Sequence, residues 1–135
     1  MKALTFLASR FVAGETIDEA LDAVRDLNAD GLKVTLDNLG EDCESVARAN
    51  AAADEYRLML RRIAETGADC NVSLKLTAFG LNLNRSLARD NLARVAEEAQ
   101  RHGNFVRLDM EGSAYTQRTL DLFYELFPQY PNLGI

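Results

Sequence analysis

With 135 residues, 47% of them hydrophobic and 27% charged, the chain has the composition of an ordinary soluble globular protein, and residues 1–135 read as a single domain or part of one. A formal net charge of -6 offers no basic stripe to a phosphate backbone, so nucleic acid is not expected as a partner. The two cysteines, Cys43 and Cys70, stand far apart and outside any CxxC or Cys/His spacing, which indicates no metal site and no disulfide framework.

Residues 1–8 (MKALTFLA) are too short an apolar run for a signal peptide and lack a clear cleavage site. No run approaches the ~20 apolar residues of a membrane span, and the expectation is a cytoplasmic protein. Residues 16–19 (TIDE) form a capping box, in which a threonine hydroxyl and a glutamate carboxylate satisfy free N–H groups at a helix start. Ile17, Ala20, Leu21, Val24 and Leu27 follow at helical spacing up to Gly31. Leu32, Val34 and Leu36 then alternate with Lys33, Thr35 and Asp37, which predicts a first strand ending near Asn38 and Gly40. Asp37 and Glu41, in LDNLGED, read most simply as loop acids capping the next helix, where negative charge near an N-terminus is favourable.

That helix is predicted over 44–65, with Val46, Ala49, Ala53, Tyr56, Leu60 and Ile63 on one stripe before Gly67. Residues 72–79 (VSLKLTAF) read as a buried strand with a lysine in it. Val72, Leu74 and Leu76 fall on one face, and Ser73, Lys75 and Thr77 on the other. A third helix, marked by Leu87, Leu92, Val95, Ala96 and Ala99, ends at His102 and Gly103, where the chain's one histidine suits the helix dipole. Residues 105–111 (FVRLDME) alternate again and put Phe105, Arg107, Asp109 and Glu111 on the polar face. A fourth helix over about 114–127 and a strand start over 132–135 complete the order.

Strands alternating with helices imply parallel pairing in an α/β fold. Each strand carries its ionisable residues toward its C-terminal end, which is where (β/α)8 barrels keep their chemistry. Lys75 and Asp109, facing the same way on neighbouring strands, are the candidate catalytic pair. An unpaired ammonium out of water costs several kcal/mol, so Lys75 either lies on an edge strand facing solvent or is paired with Asp109. No phosphate-cradling glycine loop and no nucleophile elbow occurs, and the histidine is poorly placed for a hydrolase triad.

Residues 10–16 (RFVAGET), 36–41 (LDNLGE), 72–83 (VSLKLTAFGLNL) and 105–113 (FVRLDMEGS) together resemble bacterial monofunctional proline dehydrogenase, in the same order along the chain. The resemblance implies a partial (β/α)8 TIM-type barrel: about three βα units preceded by a helix, corresponding to the N-terminal half of the enzyme. It implies FAD as cofactor, L-proline as substrate oxidised to 1-pyrroline-5-carboxylate, and a membrane quinone as electron acceptor, with a place at the inner face of the membrane. Carried over by position, Lys75 is similar to the strand lysine that contacts substrate and Asp109 to its paired aspartate beside the flavin. Met110 is similar to the adjoining residue that touches FAD, and Glu41 to a glutamate that pairs with a gating arginine. The remaining strands, most flavin contacts and the arginines that clamp the substrate carboxylate have no counterpart in these residues. The expectation is a chain inactive and flavin-free by itself, prone to self-association through an exposed sheet edge. The rival expectation is a small open-sheet α/β regulatory or interaction domain, binding at the carboxyl ends of its strands.

Overall fold

The computed structural model describes residues 12–135. The readings made on residues 1–8, and the Arg10 and Phe11 of RFVAGET, lie outside the described residues. Helix α1 (Ile17–Ala29) opens on the predicted capping box: the Glu19 N–H donates to Thr16 Oγ1 at 3.2 Å, and the Thr16 N–H donates back to the Glu19 carboxylate at 3.3 Å. Strand β1 (Val34–Asp37) follows. Helix α2 (Val46–Thr66) is capped by Ser45, whose hydroxyl accepts from the Arg48 N–H, and stops at Gly67 in the left-handed conformation. Asp37 and Glu41 therefore do not cap this helix.

Strand β2 (Cys70–Leu74) is shorter than the alternation predicts, so Lys75 lies just past the strand and not within it. The apolar residues that prolong the pattern, Leu76, Phe79 and Leu81, are fully buried, but in a series of tight turns. The Ala78 and Phe79 N–H groups donate to the Lys75 and Leu76 carbonyls, and Gly80 sits at φ +96°. Helix α3 (Arg85–Arg101) is capped by Asn84, strand β3 is Val106–Leu108, helix α4 is Ser113–Leu126 and strand β4 is Leu133–Gly134.

The strands form one parallel sheet of four in the order β1-β2-β3-β4, the same as their order in the chain. The register pairs Leu36 with Val72 and Val72 with Val106, so these side chains stack across the sheet on one face. Leu36, Val72, Leu74, Val106, Leu108 and Leu133 share a single core with residues from all four helices, among them Leu21, Leu60, Leu92 and Leu122. The alternate residues, Thr35, Asp37, Asn71, Ser73 and Arg107, fall on the opposite face, where no helix of the described residues contributes to the core. An open doubly wound sheet reverses its strand order at a switch point and carries helices on both faces. A strictly sequential order with the helices on one side is instead an arc of a (β/α)8 barrel, with its polar face turned to the barrel interior.

Gly80 combines a left-handed backbone with a close approach to helix α3. A Cβ there would lie 2.6 Å from Leu87 Cδ2, at a φ that side chains rarely adopt. We expect Gly80→Ala to lower unfolding free energy by about 1–3 kcal/mol in denaturant titration.

Candidate functional site

The C-terminal ends of β1, β2 and β3 bring the predicted residues to one rim. Lys75 directly follows the C-terminal end of an interior strand, since β2 is flanked by β1 and β3, so it is not a solvent-facing edge lysine. Its Nζ lies 3.8 Å from Asp37 Oδ2 and 3.9 Å from Glu41 Oε2, and its side chain is 25% exposed. The expected ion pair with Asp109 does not form: both residues share the polar face, but Lys75 leans toward the two acids of β1 and its loop. Asp109 is held otherwise, its Oδ1 accepting from the Ser73 hydroxyl at 3.1 Å and its N–H donating to the Leu74 carbonyl at 2.9 Å. The lysine's choice of partner has a simple cause. Past the end of β2 the lysine meets two carboxylates on one side and, on the other, a single carboxylate already engaged by Ser73.

Asp37 is the partner that sequence reasoning missed. Its Oδ1 accepts from the Tyr56 hydroxyl at 2.8 Å, and the same hydroxyl lies 2.8 Å from the Ser73 carbonyl and accepts from the Asn38 N–H at 3.0 Å. Burial, and the neighbouring Asp37 carboxylate after it, push the Tyr56 phenol well above its ordinary value, although the Asn38 N–H works the other way. The phenol therefore keeps its proton and remains a donor. Only the apolar stripe of α2 pointed to Tyr56, and nothing in that stripe shows where its hydroxyl ends.

Glu41 projects from the β1–α2 loop and is largely exposed, while the next residue, Asp42, takes a left-handed backbone at φ 50°. Thr77 pins this loop to its neighbour. Its Oγ1 accepts from the Asp42 N–H at 3.1 Å and its carbonyl from the Cys43 N–H at 3.2 Å, while its own hydroxyl and N–H both donate to the Glu111 carboxylate. Three βα loops thus meet at one fully buried threonine. Met110, between Asp109 and Glu111, presents a large apolar side chain that is 46% exposed. Among the described residues no cluster of His, Cys, Asp and Glu is arranged to hold a metal ion. His102 lies elsewhere, directly after α3, with its Nε2 3.3 Å from Glu98 Oε1.

The rim therefore joins one ammonium to a run of carboxylates on the barrel-interior side of the sheet, and comparison with known proteins gives that arrangement a family. Residues 20–134 match the family described as Proline dehydrogenase. The chain belongs to the proline dehydrogenase family. It is 38% identical over 127 residues to proline dehydrogenase 1 of Bacillus subtilis subsp. natto, covering 94% of this chain and 42% of that protein. It is 35% identical over 127 residues to proline dehydrogenase of Deinococcus radiodurans, covering 92% of this chain and 41% of that protein. The chain thus spans less than half the length of these relatives. Among solved structures, it is similar to proline utilization A from Bdellovibrio bacteriovorus inactivated by N-propargylglycine, with a TM-score of 0.86 and 26% identity. That match covers 96% of this chain and 16% of the other. The sheet accordingly corresponds to part of the barrel of proline dehydrogenases, and the rival reading of an unrelated open-sheet module gives way to the family match.

The loop junction at Thr77 yields a direct test. Thr77→Val keeps shape but leaves the Asp42 N–H and the Glu111 carboxylate short of a partner, so we expect a loss of about 1–3 kcal/mol in stability. Hydrogen exchange should localise the change, with the Asp42 amide losing protection while the core of α3 keeps it.

Proposed function

We propose that the protein carrying this chain oxidises L-proline to 1-pyrroline-5-carboxylate with FAD, and that residues 1–135 contribute one part of its barrel domain, insufficient for turnover by itself. The observation that carries the reading is the rim at the strand ends, where Lys75 faces Asp37 and Glu41 and Ser73 holds Asp109, in a chain of the proline dehydrogenase family. In this reading Lys75 is the substrate-facing cation, Asp109 the carboxylate beside the flavin, Met110 an apolar contact to the flavin, and Glu41 the acid that engages a gating arginine from outside these residues.

The residues present fit one edge of a flavin. Met110 is a large exposed apolar side chain next to a fixed carboxylate, which suits the rim of a flat aromatic ring system. No glycine-rich cradle accompanies it for a pyrophosphate. When bound, FAD supplies the hydride acceptor. The task of the chain's own residues is then to hold proline against that acceptor, a positioning contribution worth up to ~7–11 kcal/mol in well-oriented systems. Lys75 offers a donor to the substrate from a site where Asp37 and Glu41 already orient it. Asp109, steadied by Ser73, sets negative charge on the same side, which favours a protonated amine approaching the rim.

For electron delivery we propose a membrane quinone, reached by a cytoplasmic protein at the inner face of the membrane. Among the described residues no helix is long and apolar enough to cross a membrane. The outer edges of β1 and β4, unpaired among the described residues, support self-association of the isolated chain.

In the intact enzyme, Lys75→Ala and Asp109→Ala are each expected to cut proline-dependent dye reduction by about two orders of magnitude or more, the loss of a preorganised charged contact to the reacting molecule. Near-wild-type turnover in either variant defeats the assignment. For the 135-residue chain by itself we expect no flavin absorbance after purification with added FAD, and no proline oxidation; a yellow, active preparation contradicts this.

A further inference from the structure

Tyr56 stands in the helical layer, yet its hydroxyl ends at the charged rim. Its side chain is 1% exposed, and its ring packs edge-on against Phe79 with centroids 5.6 Å apart. A phenylalanine would fill that space equally well. What the hydroxyl adds is a junction between β1 and β2: it accepts from the Asn38 N–H and offers its single proton to Asp37 Oδ1 and the Ser73 carbonyl. The two oxygens of Asp37 are thereby divided in their duties. Oδ1 is fixed on Tyr56, and Oδ2 faces Lys75 Nζ at 3.8 Å. Glu41, the other acid near Lys75, is 64% exposed on a loop, so Asp37 is the one of the two acids whose orientation is set from the core.

We infer that Tyr56 is a positioning residue that sets the direction of the Lys75 ammonium through the Asp37 carboxylate. Without the phenol, Asp37 is free to turn and Lys75 follows Glu41 toward solvent. The catalytic consequence rests on the proposed role of Lys75 toward substrate, whereas the positioning itself can be read without any turnover.

The chain has only three lysines, and Lys33, exposed at the opposite end of the sheet near Asp69, provides an internal reference. The experiment compares the intact protein with its Tyr56→Phe, Asp37→Asn and doubly substituted variants, each checked for fold by circular dichroism. Trace acetylation with acetic anhydride, followed by peptide mass spectrometry, gives the Lys75-to-Lys33 labelling ratio. Tyr56→Phe and Asp37→Asn should each raise that ratio about threefold, as expected when a partly exposed ion pair is released. The double variant should label no faster than Asp37→Asn, because both changes cut the same chain of contacts. If Tyr56 only fills space, its substitution leaves the ratio at the wild-type value, and the inference is overturned. Asp37→Asn keeps the bonds of Tyr56 to Ser73 and Asn38, so an unchanged ratio there overturns it too, whether or not Tyr56→Phe folds.

In proline-dependent dye reduction, Tyr56→Phe should lower kcat/KM about ten- to a hundredfold, the effect of one lost hydrogen bond to a charged group, with no further loss when Asp37→Asn is added. Additive losses count against positioning through Asp37. Should the wild-type protein oxidise no proline, the functional reading falls, and the labelling ratio still decides the role of Tyr56.

Discussion

Period-two alternation along parallel strands imposes a division that the rest of this structure obeys. Leu36, Val72, Leu74, Val106 and Leu108 must leave water on one face, and all four helices gather over them to form a single core. Whatever polar residues the strands carry are thereby sent to the other face, together in register. Because the strands follow one another in sequence order, that polar face is continuous from Thr35 to Arg107, and its C-terminal rim collects a side chain from each unit. The position of the candidate site is thus a by-product of how the apolar half of each strand is buried.

The magnitudes at the rim favour orientation over stability. Ion pairs as exposed as Lys75 with Asp37 and Glu41 contribute about 0–1 kcal/mol, far less than burying one of the leucines beneath them, at about 1.5–3 kcal/mol. The interactions that hold the rim are the hydrogen bonds anchored in buried groups: Tyr56 to Asp37, Ser73 to Asp109, and Thr77 to Glu111 and Asp42. Each ties a flexible acid or loop to a residue whose own place is determined by packing. Such support is what a site requires if its charges are to be in place before substrate arrives.

Helices and the parallel order were legible in the residues because their causes are local. The Thr16–Glu19 box, the glycine stop at Gly67 and the stripes of α2 and α3 all act within a turn or two of the backbone. The end of β2 was not legible, since Leu76, Phe79 and Leu81 continue the apolar pattern while burying themselves through turns that depend on Gly80. That Lys75 and Asp109 face the same way follows from alternation, but the choice of partner does not. It depends on Ser73 occupying Asp109, and on a loop that brings Glu41 back beside Asp37. Tyr56 read as one more apolar position because its hydroxyl meets residues 17 to 19 positions away in sequence, a distance no periodicity can span.

The reach of that hydroxyl makes the outer shell and the inner rim mechanically one piece. Helix α2 presents exposed residues such as Leu58 on the outside of the sheet while delivering a phenol to its charged edge. A slip or tilt of this helix by a fraction of a turn, caused by heat or by a surface substitution far from the strand ends, would carry the phenol away from Asp37. The ammonium would then be misaimed while the sheet beneath stayed whole, so the helical layer sets how far the chain can be warmed or altered before its polar edge loses aim.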